Sequence, residues 1–154
     1  MNNHLLLIED EDIGGNFKLQ IEKYLGNVKV TWVRNGKEAM MAIDTNISIK
    51  VVIFDQLLEQ TNERGTDVMA SIKKKRPDII AILLSAVASR DELYRGIDKG
   101  VIYKYINKTN VEEMEKLPEL VIQAFYEHTT RAIKSYNQPE LIYSKFIKPF
   151  TLKK

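Results

Sequence analysis

Cysteine is absent from this 154-residue chain, which excludes a disulfide framework, thiolate metal centres and cysteine catalysis. Histidine is scarce. The two present, His4 and His128, stand far apart and away from every expected carboxyl strand end, so both read as structural or surface residues. Long apolar runs are missing as well. The opening MNNHLLLIEDED offers only Leu5 to Ile8 before acids appear, without the basic flank or length of a signal peptide. No later stretch approaches the length of a membrane span. The expectation is therefore a cytoplasmic protein with no membrane partner. There is also no internal repeat and no low-complexity tract. What remains is an ordinary globular composition, 44% hydrophobic and 29% charged, long enough to bury a sizeable core. One domain, or one domain plus a short appendage, is the expected organisation.

A net charge of +2 hides an asymmetry. From Thr129 onward Arg131, Lys134, Lys145, Lys148, Lys153 and Lys154 face one acid, Glu140, a local charge of +5 that leaves −3 for residues 1–128. An acidic body with a basic tail suggests two functional parts.

Short apolar runs alternate with segments of helical period. Leu5 to Ile8 reads as a buried strand. Ile13, Phe17, Ile21 and Leu25 recur every four residues, an amphipathic helix closed by Gly26-Asn27. Val28, Val30 and Trp32 alternate with polar residues as a second strand, and after the Asn35-Gly36 turn the helical spacing returns from Lys37 to Ile43. Val51 to Phe54 is a third strand ending at Asp55. The segment Gln60 to Gly65 reads as a loop, and Val68, Met69 and Ile72 mark the next helix. Its basic end, Lys73 to Arg76 before Pro77, complements the helix dipole and reads as a solvated face. Ile79 to Leu84 is a fourth strand ending at Ser85. Ser89 and Asp91 can cap a helix that Gly100 ends, and Val101 to Ile106 is a fifth strand ending near Lys108. A helix from about Pro118 to Tyr136 closes the order. Five β-α units with strands apolar throughout predict an α/β fold, a doubly wound parallel sheet covered on both faces.

In such a sheet the ligand site lies beyond the carboxyl ends of the strands. Here those ends carry Glu9-Asp10, Asp55, Ser85 and Lys108. A carboxylate can attack phosphorus to give an acyl phosphate. Clustered carboxylates make a hard oxygen site for Mg²⁺, which neutralises the charge that builds as phosphoryl transfers. A lysine ammonium and a serine hydroxyl suit phosphoryl oxygens.

With LLLIEDED, VVIFDQLL, ILLSA and YINK in that order, the chain from about Leu5 to Phe125 resembles the receiver domains of two-component response regulators. The resemblance implies a flavodoxin-like (βα)5 fold with strand order 2-1-3-4-5. It implies that Asp55 is the phosphoacceptor and that Glu9, Asp10, Asp55 and the backbone carbonyl of Leu57 hold Mg²⁺. It further implies that Ser85 and Lys108 bind the phosphoryl group, and that Ser85 and Tyr105 form the switch. The implied partner is a histidine kinase or phosphotransfer protein, acting on a signalling module rather than an enzyme. The chain departs from the family in four places. Leu58-Glu59 replaces the usual Met-Pro, the loop to Gly65 is about two residues longer, Thr109 stands in place of proline, and Gly100 lies one residue farther from the lysine. These changes bear on two site-forming loops and remove no reactive group.

Each residue also has a plainer reading. Acids at 9–12 cap helices, Asp55 and Ser85 suit turns at strand ends, Lys108 suits a surface, and Tyr105 suits a half-buried core position. Two other functions compete. A degenerate receiver would serve as an unphosphorylated scaffold. A phosphohydrolase built on an aspartyl phosphate would need a second acid two residues after the nucleophile, where Leu57 stands. The division expected is a receiver over 1–134 and a basic extension or linker over 135–154. That extension is too short for a helix-turn-helix, winged-helix or catalytic domain. It would be a linker to an output domain, a docking strand, or a helix that packs in a homodimer. Direct nucleic-acid contact is not expected, since no recognition motif is present.

Overall fold

The computed structural model describes residues 3–86 and 90–136. Its first half alternates β1 (Asn3–Ile8), α1 (Ile13–Tyr24), β2 (Val28–Val33), α2 (Gly36–Thr45) and β3 (Ile49–Phe54). Two short strands follow, β4 (Leu57–Leu58) and β5 (Glu63–Arg64), on either side of a single 3₁₀ turn at Glu59–Thr61. Then come α3 (Gly65–Lys75), β6 (Ile80–Ser85), α4 (Arg90–Asp98), β7 (Lys104–Asn107), α5 (Val111–Glu115) and α6 (Leu117–Tyr136).

The main sheet is parallel with order β2-β1-β3-β6-β7. Counting its five strands alone, this is the 2-1-3-4-5 order of the doubly wound flavodoxin-like fold. Side chains alternate across a strand, and here each face finds its own helices. Leu5, Leu7, Val51, Ile53, Ile82 and Leu84 pack with Phe17 and Ile21 of α1 and with Val121, Ala124 and Phe125 of α6. Leu6, Ile8, Val52, Phe54 and Leu83 pack with Ala39 and Ile43 of α2 and with Val68, Met69 and Ile72 of α3. Full burial of one such aliphatic side chain contributes about 1.5–3 kcal/mol. The uninterrupted apolar strands of the sequence are thus explained by two cores sharing one sheet.

Caps set the helix starts. Asn35 accepts the Glu38 N–H at 2.9 Å, and the Glu38 carboxylate accepts the Arg34 N–H at 2.8 Å. Asn110 likewise caps α5 through the Glu113 N–H at 3.2 Å.

Three local expectations are corrected. The fifth strand begins at Lys104 rather than Val101, because the N–H groups of Val101 and Ile102 both return to the Gly96 carbonyl to end α4. Gly100 makes that return with φ +69°, a left-handed value suited to glycine. The expected loop from Gln60 to Gly65 is part of a small antiparallel ladder, Leu57 opposite Arg64 and Leu58 opposite Glu63. The basic run after Ile72 is not simply solvated. Lys73 donates to the Ile79 carbonyl, Arg76 bridges Asp78 and the Ile49 carbonyl at 2.9 Å each, and Lys75 pairs with Asp44 at 2.9 Å. These residues tie the end of α3 to α2, to the start of β3 and to the turn before β6.

The two histidines hold structure. His4 is buried between Ser48 Oγ at 2.9 Å and Thr31 Oγ1 at 2.7 Å, and His128 Nε2 lies 3.1 Å from Asp78. The closing helix begins at Leu117, after the separate short helix α5, and runs through the expected domain boundary at 134 to Tyr136. Ser89 and residues 137–154 lie outside the described residues. Among those described, no helix is long and apolar enough to cross a membrane.

Candidate functional site

The sheet register brings the strand ends level. Ile8 pairs with Val33 on one side and Phe54 on the other, and Phe54 pairs with Leu83. Hydrogen bonding then continues one residue past each strand. The Glu9 N–H reaches the Val33 carbonyl at 3.0 Å, and the Asp55 N–H reaches the Ile8 carbonyl at 2.9 Å. Glu9 and Asp55 are therefore fixed by backbone before their side chains make any contact.

Those side chains converge. Glu9, Asp10 and Asp55 are buried, 1%, 2% and 5% exposed, and each offers an oxygen within 4.8 Å of the others. Lys108 arrives from the end of β7 with its N–H on the Ser85 carbonyl at 3.2 Å. Its Nζ lies 2.9 Å from Asp55 Oδ2, 3.1 Å from Glu9 Oε2 and 4.0 Å from Glu11 Oε2. Among the described residues this one ammonium faces a pocket of three buried carboxylates, Glu9, Asp10 and Asp55, and leaves it short of positive charge. Burial foremost, then the charge of Asp55, pushes the Glu9 carboxyl up to about 7 against the pull of Lys108. Burial alone would lower the Lys108 ammonium, but the hydrogen bond and charge of Asp55, followed by those of Glu9, outweigh it and raise the group.

The donor set fits a hard divalent cation such as Mg²⁺: carboxylates alone, gathered within ligand distance and in need of counter-charge.

Ser85 and Tyr105 meet beside this pocket. Ser85 is buried at the end of β6, and its carbonyl also accepts the Tyr105 hydroxyl at 3.3 Å. Tyr105 is half-buried against the α2–α3 side of the core, and burial, then the Glu113 carboxylate, raises its phenol. Leu57 opens β4 two residues after Asp55, with its side chain partly exposed. Where proline is usual, Thr109 sits in a turn closed by Asn107, whose Oδ1 accepts the Thr109 N–H at 3.0 Å and hydroxyl at 2.7 Å.

Several supporting residues had no signal in the sequence. Trp32 Nε1 donates to the Glu9 carbonyl at 2.8 Å, and Arg34, stacked 4.4 Å over the Trp32 ring, donates to the Asp10 carbonyl at 2.8 Å. Gln60 bonds Asp10 from fifty residues away. Gln56 is buried, its amide closing on Thr66 at the start of α3. Gly65 presses so closely on this turn that an added Cβ would sit 1.8 Å from the Asp55 carbonyl oxygen. Of these, only Gly65 carried a hint, as a glycine that ends a loop.

No family model and no curated protein matches the chain. Solved structures do. A signal receiver domain of an HD domain-containing protein from Pseudomonas fluorescens Pf-5 is 20% identical, with a TM-score of 0.71 over 84% of this chain and 99% of that one. A response regulator receiver domain protein from Methanospirillum hungatei is 19% identical, with a TM-score of 0.70 over the same shares. The BeF3-activated DrrB receiver domain is 20% identical, with a TM-score of 0.63 over 82% of this chain and 99% of that one. Strand order, flanking helices and these likenesses agree: the chain has the fold of response regulator receiver domains.

Proposed function

We propose that this chain is the phosphoacceptor receiver of a two-component phosphorelay. The observation that carries the reading is the meeting of Lys108 with both Asp55 and Glu9 in a pocket where three acids can share one cation. Those contacts span 53 and 99 residues of sequence, which a turn former or a helix cap would not need.

Asp55 is the nucleophile. One of its carboxylate oxygens attacks the phosphorus of a phosphohistidine on a histidine kinase or phosphotransfer protein. The new O–P bond forms as the N–P bond breaks, and the imidazole leaves with the bonding pair and takes up a proton. Glu9, Asp10, Asp55 and the Leu57 carbonyl would hold Mg²⁺, which supplies positive charge to the phosphoryl oxygens. Lys108 moves its charge from the Asp55 carboxylate to a phosphoryl oxygen, and the Ser85 hydroxyl donates to another. The drawing in of Ser85 shifts the strand end whose carbonyl holds the Tyr105 hydroxyl. In this reading Tyr105 turns inward and changes the face offered to partners. The chain acts as a signalling module, and turnover of free phosphate esters is not its task.

The test is intact mass after incubation with acetyl phosphate and Mg²⁺. Wild type should gain one phosphoryl group and Asp55→Asn none. No gain in wild type leaves the unphosphorylated scaffold. Rapid turnover of a generic phosphate ester that Asp55→Asn abolishes would instead indicate the phosphohydrolase.

A further inference from the structure

The acidic pocket has a cover that the main sheet does not supply. The chain from Gln56 to Arg64 leaves the end of β3, forms the β4–β5 ladder around its 3₁₀ turn, and returns to α3 at Gly65. It turns at Asn62 with φ 53°, a left-handed value that asparagine tolerates. Its base and its turn are both anchored. At one, Gly65 N–H donates to the Gln56 carbonyl at 2.8 Å and Thr66 N–H to Gln56 Oε1 at 3.1 Å. At the other, Glu63 Oε1 accepts the Thr61 hydroxyl at 2.5 Å and the Gly36 N–H, at the start of α2, at 3.1 Å. Between these anchors Gln60 reaches the acids. Its N–H donates to Asp10 Oδ2 at 3.1 Å, and its side-chain Nε2 donates to the Asp10 carbonyl at 2.9 Å.

We propose that Gln60 is a positioning residue for a divalent cation in this pocket: it clamps Asp10 by carboxylate and main chain so that the other carboxylate oxygen faces Glu9 and Asp55. The proposal rests on reading Glu9, Asp10 and Asp55 as a cation site. Asp10 Oδ1 carries no hydrogen bond from the described residues, whereas Oδ2 is held by the loop. The carboxamide bond keeps the Gln60 N–H in place, because it ties the turn to the same residue whose carboxylate that N–H grips. Arg34, from the end of β2, donates to the same Asp10 carbonyl at 2.8 Å, so two separate segments hold Asp10. Hydrogen bonds that orient a ligating carboxylate commonly set metal affinity by 10–100-fold.

Trp32 supplies the measurement. It is the chain's one tryptophan, and its Nε1 bonds the Glu9 carbonyl at 2.8 Å, so its fluorescence reports on the acid pocket. The 154-residue wild type, Gln60→Ala, Gln60→Leu and the distant control Gln123→Ala are titrated with MgCl2. Fluorescence is checked by calorimetry, and thermal unfolding without Mg²⁺ is recorded for each. Both Gln60 variants should bind Mg²⁺ roughly ten-fold more weakly, with metal-free melting near wild type and Gln123→Ala unchanged throughout. Equal affinity in wild type and the two Gln60 variants overturns the proposal. So does a loss of metal-free stability without a change in affinity, which assigns Gln60 a merely structural role. Absence of Mg²⁺ binding in wild type by both methods overturns the cation-site reading itself, an outcome distinct from either.

Discussion

Glu9 is the residue whose chemistry most depends on its neighbours. Burial and the charge of Asp55 raise its carboxyl to about 7, well above the ordinary value of 4.5. The folded chain therefore holds this proton more tightly than the unfolded chain does. The resulting stability is fully present below the unfolded value and is lost as pH rises through about 7. A cation in the pocket supplies the missing charge, so Mg²⁺ should matter most where Glu9 is ionised. Saturating Mg²⁺ should raise the melting temperature more well above that pH than well below it, and Glu9→Gln should flatten the difference. Calorimetry at the two extremes checks this; an equal Mg²⁺ effect at both would separate Glu9 from the cation. Serine and tyrosine were readable as types at residue scale. That Tyr105 touches the Ser85 carbonyl, and that Lys108 does too, depends on the pairing of β6 with β7.

At the scale of elements, the turn from β3 through the β4–β5 ladder into α3 sets the shape of the pocket. Its tightest point is Gly65, where a methyl group would meet the Asp55 carbonyl oxygen, a backbone atom fixed by the sheet. Gly65→Ala should cost about 2–3 kcal/mol, the upper part of the usual overpacking range, and should disturb Asp55 as well. Urea unfolding measures the first effect, and the rate of phosphorylation by acetyl phosphate the second. A variant of wild-type stability would mean that the turn yields easily. The strand ends themselves were legible because each apolar run stops at a polar residue. The β4–β5 ladder was not, since two-residue strands carry no periodicity and their pairing is fixed by tertiary anchors such as Glu63 on α2.

At the scale of the whole molecule, the latest residue in either core is Phe125 among the described residues. Past that point His128 contacts Asp78, in the turn before β6, and Arg131 lies over the Tyr103 ring. A chain cut after Tyr136 should therefore melt close to the 154-residue chain and still gain an Asp55-dependent phosphoryl group, with intact mass and calorimetry as the readouts. A large loss of stability would show that the basic extension is part of the folded body. The charge asymmetry bears on the same division, because the described body holds the acid pocket and most of the tail's positive charge lies beyond Tyr136.

The sequence by itself determined the α/β class, the two-faced sheet and the strand-end residues Glu9, Asp10, Asp55, Ser85 and Lys108, because apolar periodicity and its interruptions are local properties of the chain. Tertiary structure alone decided which polar side chains would support them. Trp32 on Glu9, Arg34 and Gln60 on Asp10, and Gly65 against Asp55 are all contacts between separate elements. No spacing along the chain encodes such contacts. They appear only when parallel strands align their carboxyl ends and bury three acids together, where each needs a partner that water would otherwise provide.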